Sequence, residues 1–315
     1  MSGDSVSDNS QSDVADLATS AGEQLRSPRL APLKDSTTLR HEPKALRAQL
    51  AHDGYLYLPR LLAEDDIVAA RRQVFSALHE VDEIAAPPVD GIFTGRSRRD
   101  TSVADRGTFW RSVSESWALR RVTHGALLRD TMGTLFGEAA IAQDFLFLRP
   151  AGPGKNTPTH CDRPFFTRTT DSVLTAWIAL GQVPLRLGPL YIVEGSHQFD
   201  DIKAHYQGFD VARHTHRKAA LDQTPLQLAT ERNTRILSGN FAPGDVVIFN
   251  MFLLHGALDN ISANNEVRLS VDVRYQPASA PRDPRYFGAN PTGTTGAGYG
   301  ELVGARPLTE AWHTR

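Results

Sequence analysis

After Gly137 the apolar residues of this chain stop recurring at helical spacing and fall into short runs or strict alternation, and that change of period limits the folds open to it. The runs are Phe145-Leu146-Phe147-Leu148, 173–180, Leu190–Val193, 246–249, 252–254 and 267–273, with Gly or Pro between many of them. Runs of this length, rich in Val, Ile and Phe, predict strands. Turn signals such as Pro243-Gly244-Asp245 punctuate them, and the absence of any β-α-β alternation or internal repeat argues against a doubly wound nucleotide-binding fold. Before Gly137 the spacing is helical. Ile67, Val68, Val74, Phe75, Leu78 and Val81 share a face behind the acidic start Glu64-Asp65-Asp66, which suits the positive end of a helix dipole. Residues 108–137 read as helix in pieces, with Leu119, Val122, Leu127, Leu128, Met132 and Leu135 on the buried side. Helices first and antiparallel strands after predict a mainly β sandwich or barrel with N-terminal helices packed on one side.

Residues 1–42 are dominated by Ser, Asp, Gln and Thr without apolar periodicity, and are expected to form a disordered polar tail. Folded structure is expected from Pro43 to Arg315 as one domain: a short helix carrying Leu46 and Leu50, a turn at Asp53-Gly54, a strand at Tyr55-Leu56-Tyr57-Leu58, and at the far end a Gly/Pro-rich segment. Residues 85–107, with Arg96, Arg98, Arg99 and Arg106, read as a long loop, either a solvated face or a mobile cover that carries an anion-binding residue. A net charge of −2 disfavours nucleic acid as a partner, and no apolar run approaches the ~18 residues of a membrane span. With one cysteine, Cys161, and an acidic, Ser-rich start unlike a secretory signal, a cytoplasmic location is expected.

Of eleven histidines, only His160 has a carboxylate two positions later, in His160-Cys161-Asp162. Alone that tripeptide is weak, but it follows a strand and a Gly/Pro loop, and in extended chain residues i and i+2 face the same way. His255 ends the apolar run before Gly256. Two imidazoles and one carboxylate on one face make a facial triad, which leaves positions of an octahedral ferrous ion open for co-substrate and O2. Arg268 lies inside an otherwise apolar strand, where it is costly unless its planar fork meets an anion. The C5 carboxylate of 2-oxoglutarate would be that anion, its 2-oxo acid end chelating the iron.

With these residues in view the chain resembles the phytanoyl-CoA dioxygenase family of Fe(II)/2-oxoglutarate oxygenases. The resemblance rests on His160-Cys161-Asp162, Leu174-Thr175-Ala176-Trp177-Ile178-Ala179-Leu180, the segment from Gly188-Pro189-Leu190 to Glu194-Gly195-Ser196-His197, the turn Pro243-Gly244-Asp245, His255 and Arg268-Leu269-Ser270. It implies a double-stranded β-helix (a cupin-like jelly roll), iron on His160, Asp162 and His255, Arg268 as the anchor of 2-oxoglutarate, and Trp177 and Gln143 beside the co-substrate. Ala257 stands where many members carry a small hydroxyl residue. The implied reaction is oxidation, most simply hydroxylation, of a C–H bond in a small-molecule substrate with release of succinate and CO2. Asp162 argues against halogenation, because halogenases of this fold have Gly or Ala in its place. Two readings compete: a cupin-like metal or ligand sensor without turnover, and a zinc hydrolase, since two His and one Asp also suit zinc.

The remaining candidates favour plainer roles. His197, after Glu194-Gly195-Ser196, is expected to brace a loop, and His214-Thr215-His216, among Arg213, Arg217 and Lys218, to sit in a solvated loop where positive neighbours oppose a cation. Cys161 alternates away from the metal face. Phe165, Phe166 and Trp110 suit either a substrate pocket or the core.

Overall fold

The computed structural model describes residues 18–311. In chain order these begin with β1 (Ala18–Ser20), β2 (Glu23–Leu25), β3 (Leu30–Ala31), α1 (Pro43–Asp53), β4 (Tyr55–Leu58) and α2 (Glu64–Glu80). Then come α3 (Arg99–Ser102), α4 (Arg106–Ser114), α5 (Trp117–Thr123), α6 (Ala126–Phe136), β5 (Ala140–Ala142), β6 (Phe147–Ala151), β7 (Thr157–His160) and β8 (Leu174–Ala179). The last are β9 (Leu190–Val193), α7 (Asp200–Tyr206), α8 (Pro225–Glu231), β10 (Ile236–Leu237), β11 (Val246–Asn250), β12 (His255–Ala257) and β13 (Arg268–Pro277). Local chemistry sets the boundaries. Pro43 opens α1 and Gly54, left-handed at φ 77°, closes it by donating to the Leu50 carbonyl. A side chain at Gly54 would also strike the His197 ring, so glycine serves both the turn and the packing. Glu64, Asp65 and Asp66 occupy the first turn of α2.

Beside the antiparallel pair β1-β2, the strands make two facing sheets, ordered β3-β10-β9-β12-β7 and β4-β11-β8-β13-β5 with β6 on β13; β10 and β3 are parallel and the other neighbours antiparallel. This is the expected jelly roll. Strand alternation sorts its side chains into layers. On the second sheet Ala176, Ile178, Val246, Ile248, Leu269, Val271 and Val273 pack against the helices with Phe75, Trp110 and Met132. Their neighbours Trp177, Ala179, Val247 and Phe249 turn inward to meet Leu190 and Ile192 of the first sheet. Tyr191 and Val193 face outward under α7 and α8. In β13 the inward set is Arg268, Ser270, Asp272, Arg274 and Gln276, all buried. A row of buried polar side chains lining a barrel requires partners.

Several expectations need correction. Residues 18–42 are built into the fold: β3 pairs with β10, Ala18 and Leu25 join the apolar layer under α7 and α8, and the Asp259 carboxylate accepts the Ala21 and Gly22 N–H groups at 3.0 and 2.9 Å. Strands of two or three residues leave no period to read. Residues 1–17 lie outside the described residues. Leu127 is 49% exposed, because α6 buries its other face through Leu128, Met132 and Leu135. The run 252–254 is a turn that feeds β12 rather than a strand. Within 85–107, Arg99 is neither solvated nor part of a cover: it is fully buried, donating to Glu83 at 2.5 Å and to the Gly304 and Arg306 carbonyls at 2.5 and 2.8 Å, and so ties the C-terminal segment to the helices. Trp110 and Phe166 belong to the helix-side core. Among the described residues no helix is long and apolar enough to cross a membrane.

Candidate metal centre

His160 at the end of β7 and His255 at the start of β12 are cross-strand partners, which brings their rings side by side with centroids 4.4 Å apart. Asp162 follows β7 directly, and His160, Asp162 and His255 each offer a ligand atom within 4.8 Å of the others. Each imidazole is oriented by its own strand: Nδ1–H donates to a carbonyl two residues back, Pro158 for His160 and Leu253 for His255, both at 2.9 Å. That tautomer, assigned from the hydrogen bonds, leaves both Nε2 lone pairs for a cation. Asp162 is held from one side. Its Oδ2 accepts from Thr175 Oγ1 at 2.6 Å and from Arg274 Nη2 at 2.8 Å, while Oδ1 remains 3.8 Å from His255 Nε2. Three single donor atoms, two nitrogen and one oxygen, are the set that suits ferrous iron with open positions.

The electrostatics favour the deprotonated ligands. Burial would raise the Asp162 carboxyl, but Arg274, the two imidazoles and Thr175 outweigh it and hold it well below the usual carboxylate range. Burial, and then His255 beside it, pushes His160 down to about 3; burial also lowers His255. His124, buried beside Arg120, is lowered to about 4. A folded pKa below the unfolded value of ~6.5 means the unfolded chain takes up the proton first, so this contribution to stability is complete above pH ~6.5 and lost as pH falls toward about 3. The metal-free protein is therefore expected to have a lower urea midpoint at pH 5.0 than at pH 7.5. Equal midpoints would mean that these imidazoles are not buried uncharged.

Behind the triad lies a small cavity lined by Arg149, Thr157, Trp177, Phe249, Arg268 and Asp272 together with both histidines. Arg268 is 1% exposed; Nη1 donates to Ser270 Oγ at 2.7 Å, but Nε and Nη2 have no partner. Burial lowers its pKa to about 10, which leaves it cationic at neutral pH. Two orphaned N–H groups on a buried guanidinium are a receptor for a carboxylate. The donor set and these orphans fit iron and a dicarboxylate co-substrate.

Five of the six expected site residues thus share one place: His160, Asp162, His255, Arg268 and Trp177. Gln143 does not line the cavity; it is 2% exposed, its backbone N–H donates to the Arg274 carbonyl and its Oε1 has no partner. Phe165 meets the His160 ring edge-on at 6.4 Å. His197 braces α1 through the Ala51 carbonyl at 3.3 Å, His214 bonds within its own loop to Asp210, and Cys161 points into the outer apolar layer. Sequence reasoning missed Thr175, Arg149, Asp272 and Arg274. Asp272 bonds Arg149 at 2.8 Å and lies 3.7 Å from Arg274, whose guanidinium sits over the Phe147 and Phe166 rings at 4.2 and 5.1 Å. Their signal was present: Asp272 and Arg274 share the parity of Arg268 along β13.

A sequence model of the phytanoyl-CoA dioxygenase (PhyH) family matches residues 50–268. Over 133 residues the chain is 32% identical to a Streptomyces exfoliatus protein named 1-deoxypentalenic acid 11-beta-hydroxylase, covering 42% of this chain and 45% of that one. The chain thus spans less than half the length of that curated relative. SnoN, a non-heme alpha-ketoglutarate-dependent epimerase from nogalamycin biosynthesis, is similar in fold with a TM-score of 0.52 at 20% identity, over 78% of this chain and 86% of its own. EctD from S. alaskensis gives a TM-score of 0.52 at 19% identity, over 89% and 94%.

Proposed function

The chain belongs to the phytanoyl-CoA dioxygenase family, and on that premise we propose that it is an Fe(II)- and 2-oxoglutarate-dependent oxygenase that hydroxylates a C–H bond of a small-molecule substrate, releasing succinate and CO2. The observation that carries this reading is the pairing of a three-donor face with a cavity whose wall holds a buried arginine with two unpartnered N–H groups. His160 and His255 would hold iron through Nε2 and Asp162 through Oδ1, while Arg268 would take the far carboxylate of 2-oxoglutarate. Bound there, iron and 2-oxoglutarate supply the O2-derived oxidant for C–H cleavage. The chain's own contribution is placement. Arg274 and Thr175 keep Asp162 ionised and turned, the Pro158 and Leu253 carbonyls fix the imidazoles, and Trp177 and Phe249 keep the co-substrate wall apolar. Asp162 as the third ligand group would disfavour halogenation, and the name of the Streptomyces relative supports hydroxylation. A zinc hydrolase would leave Arg268 without a purpose, and a sensor would show binding without turnover.

The expected result is that protein loaded anaerobically with Fe(II) and 2-oxoglutarate forms succinate when O2 is admitted, slowly alone and faster with a true substrate, and none after chelation. Absence of succinate across a broad set of small molecules, with iron retained, would overturn the oxygenase reading in favour of the sensor.

A further inference from the structure

From the outer face of the helical layer we infer that the chain forms a two-fold dimer through α2 and Trp117, each copy's indole entering the other's groove; nothing in this depends on the metal centre. One side of α2 is core, carrying Ile67, Ala70, Val74, Phe75 and Leu78. Its other side floors an open groove of about 580 Å³, walled by the end of α4 and the start of α5. Trp117, the first residue of α5, stands at the rim and is 67% exposed, more than any other large apolar side chain among the described residues. The local structure does not call for an indole there. Gln73 Oε1 accepts the Ala118 N–H at 3.2 Å and holds the first turn of α5 against α2 whatever side chain residue 117 carries. A tryptophan left in water is unmet apolar surface on a single chain, and tryptophan is enriched among the residues that dominate protein interfaces.

The groove floor identifies the occupant as a second copy of the chain. Arg72, Ser76 and Glu80 all line it, and at a spacing of four they lie one above another along α2. Arg72 and Glu80 are exposed, and among the described residues neither charged group has an ion-pair partner. By contrast Asp66 and Asp82, on the same helix and just past it, pair with Arg121 and Arg98. The two unpaired charges are opposite in sign and equally far from Ser76. A second α2 laid antiparallel about a dyad at Ser76 therefore sets Arg72 of each copy against Glu80 of the other, which is the self-complementary pattern that a two-fold interface requires. Ser76 at the crossing, with Ala77 beside it, is small enough for the helices to approach closely. Trp117 stands next to Gln73, on the Arg72 side of Ser76, so the same dyad carries it over the Ala77–Glu80 end of the copy's groove. A partner of different sequence has no need of charges mirrored about Ser76.

The test is sedimentation velocity on the full chain from about 1 to 100 μM, the range in which an interface of modest affinity passes from half to fully associated. The parent should sediment as a dimer. W117A should raise the dimer dissociation constant about tenfold or more, since each dimer loses the indole twice. R72E and E80R, each of which sets like charges against each other at both ends of the crossing, should run as monomers, with urea midpoints that match the parent. The double variant R72E/E80R exchanges the signs and should dimerise again. Mixing R72E protein with E80R protein should give a heterodimer that neither forms alone, because one copy then carries two acidic and the other two basic groups. A parent that stays monomeric throughout overturns the inference and leaves this face to a different protein. A dimer indifferent to W117A and to both single reversals overturns it too, since the contact then lies on another face. So does dimerisation lost in the single variants and restored neither in R72E/E80R nor by mixing, because Arg72 and Glu80 are then not partners across a dyad.

Discussion

Asp162→Ala is expected to abolish succinate formation, weaken Fe(II) binding by ~100-fold or more, and destabilise the fold by ~3–5 kcal/mol. The first two effects follow from removing one of three donor atoms. The third follows from what Asp162 holds on its other side: Arg274 Nη2 at 2.8 Å and Thr175 Oγ1 at 2.6 Å, both buried. Once the carboxylate is gone, the Arg274 guanidinium over the Phe147 and Phe166 rings is left with Asp272 as its nearest carboxylate, at 3.7 Å. Breaking a buried pair is costly in this way, whereas replacing both members with apolar groups is often neutral. The double variant D162A/R274M should therefore recover most of the lost stability, measured by urea midpoint, while remaining inactive. Full iron retention and turnover in D162A would remove Asp162 from the ligand set. Unchanged stability in D162A would mean that the Arg274 contact contributes nothing to the fold.

That double role marks the boundary of what the sequence made legible. The triad was readable because His160 and Asp162 share a strand face by parity and His255 closes an apolar run, and the structure brings these three ligand groups together. Arg268 was readable because a cation in an apolar strand is anomalous by itself. Arg274 and Asp272 carry the same anomaly on the same strand, but a single sequence does not say that Asp162 approaches β13, since that contact joins residues 112 positions apart. Thr157 on the cavity wall was illegible for the opposite reason: its position relative to His160 gives the wrong face, and only the register irregularity opposite Ala257 corrects it. The edges of the fold were lost to shortness. β1, β2 and β3 hold through backbone pairing and through Asp259, which leave no hydrophobic period. Arg99 was misread because burial beside Glu83 and two carbonyls depends on where the C-terminal segment returns. In each case the information missing was tertiary.

Arg268→Met should separate co-substrate binding from stability in a direction few buried substitutions share. In the co-substrate-free protein Arg268 is a burden: it is fully buried, its Nε and Nη2 lack partners, and burial already lowers its pKa to about 10. Methionine fills a similar volume without that desolvation cost, so the metal-loaded variant should melt no lower than the parent, the loss of the Ser270 contact being offset. Affinity for 2-oxoglutarate should fall ~100-fold or more, because a paired, desolvated guanidinium–carboxylate contact is worth ~2–5 kcal/mol. The same comparison appears in melting curves. Saturating 2-oxoglutarate stabilises the parent by an amount set by the ratio of ligand to Kd, and the same concentration should barely move R268M. Arg268→Lys should fall between the two, since it keeps the charge but loses the planar fork. If R268M instead melts well below the parent without co-substrate, Arg268 is a structural cation with partners besides Ser270. If R268M binds 2-oxoglutarate normally, the carboxylate is held elsewhere, and Arg149 on the same cavity wall is the residue to replace next.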